Sequence, residues 1–204
     1  MERVFAIIPV KPLEDGKSRL RAVLDDAQRL AFNTFLMDRT FDLARDYPGP
    51  AQTIVVSRSR QVLMAARSRG FTAVEETGDD LNAALSLATR TVQSRNADGL
   101  FVLPVDLPLA DAATIESIVR LQTPGSCVLV ADRRGTGTNF LFLSPPDDGF
   151  YRFGPGSFRQ HRIAAAERTL RLTILNDGPL TIDIDEADDF GLWQSIVAGD
   201  HSTS

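Results

Sequence analysis

The 204-residue sequence contains one cysteine, one tryptophan and two histidines, and its 27 acidic side chains outnumber the 22 basic ones. Each shortage narrows the range of functions. Cys127 has no partner for an internal disulfide and sits in Cys127-Val128-Leu129-Val130, so it reads as a small buried hydrophobe and not as a nucleophile. A net charge of −5 disfavours nucleic acid as a partner, and any smaller polyanion must be held by a local basic loop. No apolar run approaches the roughly 18 residues of a membrane span, so no membrane partner is expected. Met1 to Ile8 runs into Pro9 and not into a small-residue cleavage site, which makes a poor signal peptide and a good first strand; the expected location is cytoplasmic. The phosphate-binding patterns G-x-x-x-x-G-K and G-x-G-x-x-G are both missing, as is any His/Asp or Cys/His constellation for nucleophilic catalysis. With no internal repeat, low-complexity tract or linker-like stretch, the length predicts one domain over residues 1–198 and a frayed tail over 199–204.

What is present is an alternation of short apolar runs and amphipathic segments. The centre of the chain is Phe101-Val102-Leu103-Pro104-Val105-Asp106-Leu107-Pro108-Leu109. Its apolar start is too short for a helix and reads as a strand buried on both faces, halted at Pro104, which has no N–H for a ladder. Asp106, on the stiff turn between two prolines, either caps that turn or holds a divalent metal at the strand's carboxyl end. Around this centre the pattern predicts strands at Val4–Ile8, Thr53–Val56, Phe71–Val74, Ser126–Ala131, Phe140–Leu143, and near Leu170–Ile174 and Leu180–Ile182. Helices are predicted over Asp26–Tyr47, Arg60–Arg69, Leu81–Gln93, from Asp111 to Leu121, from Ser157 to about Ala166, and to Val197 at the end. The rhythm is that of a doubly wound α/β domain with a mostly parallel sheet, the region from Gly135 to Phe158 adding an antiparallel edge, and a ligand crevice at the strand carboxyl ends.

Several loops at that end carry chemistry. The loop after strand one gathers Lys11, Lys17 and Arg19 around Gly16 and Ser18, either as an idle solvated loop or as a phosphate cradle. Asp79 or Asp80 is placed to cap the helix from Leu81, with Asn82 in its first turn either assisting the cap or meeting a planar base edge; capping is the favoured role. Gly135-Thr136-Gly137-Thr138-Asn139 and Gly154-Pro155-Gly156-Ser157 bring glycine turns and hydroxyl donors that suit an anion. His161 reads as a satisfied structural histidine. Asp183-Ile184-Asp185 again delivers carboxylates after an apolar run.

Taken in order, Pro9-Val10-Lys11 with Lys17-Ser18-Arg19-Leu20, then Asp80-Leu81-Asn82-Ala83-Ala84-Leu85, Pro104-Val105-Asp106-Leu107-Pro108-Leu109, Gly135-Thr136-Gly137-Thr138-Asn139 with Gly154, Ser157-Phe158 and His161, and Asp183-Ile184-Asp185 resemble the 2-phospho-L-lactate guanylyltransferase family of deazaflavin coenzyme biosynthesis. That family is a branch of the molybdopterin-guanylyltransferase-like nucleotidyltransferases, and the likeness spans nearly the whole chain. Glu186-Ala187 departs from the Thr-Pro usual there. The resemblance implies a Rossmann-like nucleotidyltransferase fold that joins GMP from GTP to phosphoenolpyruvate, 3-phosphoglycerate or 2-phospho-L-lactate with release of pyrophosphate. It implies Mg²⁺ on Asp106 and Asp185 with Asp183 as partner or alternative ligand, and catalytic parts for Lys17, Arg19 and Asp106. It also implies nucleotide contacts from Pro9, Val10, Lys11, Lys17 and Asn82, and acceptor contacts from Thr138, Asn139, Gly154 and Ser157. The product would pass to a downstream transferase, and a homodimer is compatible with the pattern. Because the attacking phosphate is already an anion at pH 7, no general base is required, and alignment with charge neutralisation suffices. Two other classes share parts of this pattern. A metal-dependent sugar nucleotidyl- or glycosyltransferase would want exposed aromatics, for which a single tryptophan is poor provision; a nucleotide-sensing domain would have no use for both Asp106 and Asp185.

Overall fold

The computed structural model of the chain describes residues 3–78 and 80–200. Asp79, one of the two expected caps, and residues 201–204 of the expected tail lie outside the described residues. Seven strands form one sheet: β1 (Val4–Pro9), β2 (Thr53–Ser57), β3 (Thr72–Glu75), β4 (Gly99–Val102), β5 (Ser126–Ala131), β6 (Thr138–Leu143) and β7 (Arg171–Leu175). Six helices complete it: α1 (Asp26–Asp46), α2 (Arg60–Ser68), α3 (Leu81–Gln93), α4 (Ala112–Arg120), α5 (Ser157–Glu167) and α6 (Ala187–Asp200). The fold is the doubly wound α/β domain that the alternation predicts.

The strand order is β3-β2-β1-β4-β6-β5-β7. All pairings are parallel except those of β6, which runs against both β4 and β5. The antiparallel contribution expected after Gly135 is this strand, and it is inserted between β4 and β5, two places in from the β7 margin. Both faces of the sheet are covered. Along β1, Val4, Ala6 and Ile8 join the core layer that includes Met37 and Phe41 of α1, whereas Phe5 and Ile7 join the opposite layer with Leu85 and Ala88 of α3. This two-sided burial is why the strands read as unbroken apolar runs.

Helix starts are where the sequence placed them. Asp25 closes a capping box with Gln28 at the head of α1, and Asp80 and Asp111 cap α3 and α4 through their side chains. Two expectations change. Pro179–Thr181 is a single 3-10 turn and not a strand, because Gly178 enters it at φ 92° and Pro179 has no N–H for a ladder. The last helix continues past Val197 to Asp200. Among the described residues no helix is long and apolar enough to cross a membrane.

Phe101 is fully buried at the sheet centre, its ring 5.6 Å from that of Phe140 on β6 and 6.1 Å from that of Tyr47 at the end of α1. Replacing it with alanine opens a cavity under β4. Phe101→Ala is expected to cost about 3–5 kcal/mol, seen in urea titration as a lower midpoint with an unchanged slope.

Candidate functional site

The carboxyl ends of β1, β3 and β4 open into one cavity of about 600 Å³. Its lining includes Pro9, Val10, Lys11, Lys17 and Arg19 from the β1–α1 loop, Glu76 after β3, Leu81 and Ala84 of α3, Asp106 after β4, Phe153 and Asp185. The proline-flanked aspartate and the basic loop, more than 80 residues apart in sequence, therefore meet at one place.

The contact that joins them is ionic. Lys17 is nine-tenths buried, and its Nζ lies 2.9 Å from Asp185 Oδ1 and 3.2 Å from Asp106 Oδ2. Burial works against the Lys17 ammonium, yet the two carboxylates outweigh it and hold its pKa above the ordinary value. Burial likewise resists ionisation of Asp185, and Lys17 more than compensates, leaving that carboxyl below its usual range. The Lys17 backbone sits at φ 53°, ψ 38°, a left-handed conformation that few non-glycine residues adopt, and it starts a short 3-10 turn over Ser18–Ala22.

The loop is fixed from α1. The Arg29 guanidinium donates to the Gly16 carbonyl at 2.6 Å and the Glu14 carbonyl at 3.3 Å, and Asn33 Nδ2 donates to the Leu13 carbonyl at 2.6 Å. A Cβ on Gly16 would stand 2.6 Å from Asn33 Nδ2, so the close approach needs glycine. An amphipathic reading of α1 accounts for its packing but not for this use of its buried polar side chains.

The second carboxylate segment is set by a different device. The Ile184 N–H donates to the Asp106 carbonyl at 3.1 Å, and Ile184 is fully buried. On either side of it, Asp185 shares Lys17 with Asp106, and Asp183 lies close enough to feel the Asp106 charge. Asp189, nearly buried at the start of α6, accepts from the Asp185 N–H at 3.2 Å and the Glu186 N–H at 2.9 Å, and is itself held by Arg133 at 2.7 Å. Arg134 pairs with Glu186 at 2.6 Å, and Arg19 approaches the same carboxylate at 3.5 Å. Burial and the negative charge of Asp106 push Asp183 up to about 6, against a hydrogen bond from Asn139 Nδ2 at 3.2 Å.

The structure distributes the remaining expected residues less evenly. The Asn82 side chain does not cap α3 and is not part of the cavity lining: its Nδ2 donates to the Phe153 carbonyl at 3.0 Å and its Oδ1 accepts the Phe153 N–H at 2.7 Å. The cap belongs to Asp80. Thr138 and Ser157 are buried, with the Thr138 N–H donating to Ser157 Oγ at 3.0 Å. His161 is fully buried beneath them; its Nε2 accepts the Arg152 N–H at 2.9 Å, so its proton is on Nδ1 and is donated to Thr138 Oγ1 at 2.9 Å. Burial and the nearby Arg152 charge push the imidazole down to about 4, which keeps it neutral and structural, as the sequence suggested. Gly154, at φ 130°, turns the chain before α5, and the first α5 amides are used within the protein, Ser157 toward Gly154 and Phe158 toward Thr136. Thr138, Asn139, Gly154 and Ser157 thus form a neighbourhood behind Phe153 and Asp183, outside the lining of the main cavity. Cys127 is buried, its thiol pushed up to about 12 by burial.

Among the described residues no three His, Cys, Asp or Glu side chains converge as a ready-made metal cage. What converges is a pair of carboxylates on one cation, the Lys17 ammonium. That arrangement fits a divalent ion of the Mg²⁺ kind, which is commonly held by one or two carboxylates and completes its shell with phosphate oxygens and water.

Comparison with known proteins matches this chain to a family. The family described as "Guanylyl transferase CofC like" matches residues 4–203. A phosphoenolpyruvate guanylyltransferase of Rubrobacter xylanophilus is 36% identical over 187 residues, covering 91% of each chain. A 2-phospho-L-lactate guanylyltransferase of Methanothermobacter thermautotrophicus is 33% identical over 191 residues, 93% of this chain and 83% of its own. Among solved structures, a nucleotidyl transferase from a Methanothermobacter species superposes with a TM-score of 0.68 at 15% identity, over 95% of this chain and 96% of its own. A cytidylyltransferase from Leptospira borgpetersenii gives 0.61 at 12% identity, over 96% and 87%. These two likenesses concern the fold.

The raised Asp183 carboxyl has a consequence for stability. Its folded pKa of about 6 exceeds the unfolded value near 3.8, so ionisation costs the folded state, and that cost grows as pH rises through this window and is complete above it. Asp183→Asn removes the cost and keeps an acceptor for Asn139. In the metal-free protein its melting temperature is expected to match the parent near pH 3 and to exceed it by a margin that grows between about pH 4 and pH 6 and then levels off; scanning calorimetry across that range checks the divergence.

Proposed function

The chain belongs to the CofC-like guanylyl transferase family and is a nucleotidyltransferase enzyme; from that membership we propose that it transfers GMP from GTP to the phosphate of a small phosphorylated carboxylic acid, with phosphoenolpyruvate as the first candidate. The observation that carries this reading is the Lys17 ammonium held between Asp106 and Asp185 on the wall of the cavity. The names borne by relatives at 30% identity or more, phosphoenolpyruvate or 2-phospho-L-lactate guanylyltransferase, supply the substrate class. 3-Phosphoglycerate differs from both in a hydroxyl and in reach, and it stays a third candidate.

The chemistry is a displacement at phosphorus. A phosphate oxygen of the acid forms a bond to the α-phosphorus of GTP, the bond from that phosphorus to the β-bridging oxygen breaks, and pyrophosphate leaves with the electron pair. No proton has to be removed from the nucleophile, which fits a cavity wall without a free histidine or thiol. Asp106 and Asp185 would hold Mg²⁺, with Asp183 in reserve beside Asn139. When bound, the ion supplies positive charge to the α-phosphate and the departing oxygens. Lys17, Lys11 and Arg19 bring cations to the same wall and bind the triphosphate, and the backbone of Pro9 to Lys11 lines the approach of the nucleoside. The buried Thr138–Ser157–His161 group stands behind this wall and shapes the acceptor's side of the site. The product, a mixed phosphoric anhydride, is prone to hydrolysis and calls for immediate transfer to a partner transferase, in keeping with a role in deazaflavin coenzyme biosynthesis in the cytoplasm.

The test offers GTP and Mg²⁺ with each of the three acids to the purified chain, in the presence of a transferase that consumes the product, and follows pyrophosphate. One acid is expected to exceed the others by tenfold or more in kcat/KM, about 1.4 kcal/mol of transition-state binding. Lys17→Ala should lower kcat/KM by an amount equivalent to about 1.5–3 kcal/mol, the usual worth of a charge-assisted hydrogen bond. GTP binding without pyrophosphate release from any acid would replace this reading with a sensing domain.

A further inference from the structure

The cavity has a second acidic feature, at the end away from Lys17. Glu76 follows β3 directly, and its backbone N–H donates to the carbonyl of Ser57, the buried last residue of β2, at 3.1 Å. That bond fixes where its side chain leaves the chain, and the residue lines the cavity. Among the described residues no side chain hydrogen-bonds to its carboxylate. Lys11, Arg58 and Asp80 act on it through charge, and burial lifts its pKa above the ordinary value. A partly desolvated carboxylate with unfilled acceptor positions faces the same space as the phosphate-binding cations.

Its surroundings suit a flat, apolar ring. Leu81 and Ala84 stand one helical turn apart on the first turns of α3 and present one surface to the cavity. Phe153 lines it as well, its backbone gripped on both sides by the Asn82 amide and its ring set edge-on to His161 at 4.7 Å. The Asn82 side chain is spent on positioning Phe153 and is not part of the cavity lining. In the order β3-β2-β1-β4, Glu76 and Asp106 leave strands three places apart, about 14 Å at the usual strand spacing. A nucleoside laid across that span puts its base at Glu76 and its phosphates at Lys17 and Asp106.

We propose that Glu76 is the residue that selects guanine, its carboxylate accepting both the N1–H and the exocyclic N2 amine of the base. The inference rests on the guanylyl-transfer reading above and adds the residue that makes it guanylyl and not adenylyl or cytidylyl. Guanine presents two adjacent donors on this edge, and an ionised carboxylate is acceptor-only and takes both at once. Adenine and cytosine each set an acceptor beside their amine, and that acceptor would meet the carboxylate with no proton between them. Uracil offers a single donor between two carbonyls.

The experiment compares the parent protein with the isosteric Glu76→Gln variant, using GTP, inosine triphosphate and xanthosine triphosphate in equilibrium binding and in pyrophosphate release. Inosine lacks the N2 amine, and xanthosine carries a carbonyl in its place. A glutamine can accept from N1–H while donating to that carbonyl, so Glu76→Gln should lose about 100-fold toward GTP and gain toward xanthosine triphosphate, moving the GTP-to-XTP ratio by three orders of magnitude or more. The parent should favour GTP over inosine triphosphate at least tenfold. Because the ratio does not depend on the fraction of folded protein, a variant that folds poorly still reports. A GTP-to-XTP ratio left within threefold of the parent's, in a parent that uses GTP, overturns the Glu76 assignment and leaves guanylyl transfer standing. A parent that neither binds GTP nor releases pyrophosphate overturns both.

Discussion

Two carboxylates facing each other at the mouth of a buried sheet are unstable neighbours unless a cation lies between them. In this chain that cation is Lys17, reached through a buried stem and a left-handed backbone turn. Removing Lys17 leaves two partly solvated carboxylates facing each other, and removing either carboxylate leaves the buried ammonium with one partner fewer. The loop, the β4 turn and the segment before α6 are therefore mutually dependent: each supplies one charge and none is well placed alone. The exposed pairs elsewhere, such as Arg45 with Asp42 or Arg120 with Glu116, carry no comparable constraint.

The precision of this arrangement comes from uncharged contacts around it. The Ile184–Asp106 backbone bond sets the distance between two segments almost 80 residues apart, and Asn33 and Arg29 hold the loop carbonyls that orient Lys17. Asp189 fixes the turn at Asp185 and Glu186 from the opposite side. A site of this type depends on a second layer of hydrogen bonds as much as on its charged groups.

That layer is also where the sequence was least legible. Strand and helix types followed from apolar periodicity and caps, and the Pro104–Pro108 frame singled out Asp106 because proline leaves a plain mark. The same logic failed at Leu180–Ile182, where apolar content suggested a strand and Gly178-Pro179 forbade one. Asn82 was read by its position in a helix start, but its partner is Phe153, 71 residues on, and local pattern carries no information about a contact that long-range topology creates. Glu76 and Asn33 carry no local mark of their roles for the same reason. Asp189 alone left a trace, an acid three residues after Glu186 at a helix start, the spacing of a side chain that reaches back to the amides before it.

The position of β6 has a kinetic side. β4 carries the Asp106 turn, yet its second neighbour in the sheet is neither of the strands that flank it in sequence; it is β6, which begins 36 residues after β4 ends. During synthesis, a chain that has emerged through β5 holds β1 to β4 in order with one edge of β4 open, and β5 has no seat until β6 arrives to separate them. Completion of the sheet beside β4 therefore waits on pairing across a long connection, which is slow relative to local helix formation. In that interval the exposed β4 edge is the stretch most open to pairing with another chain.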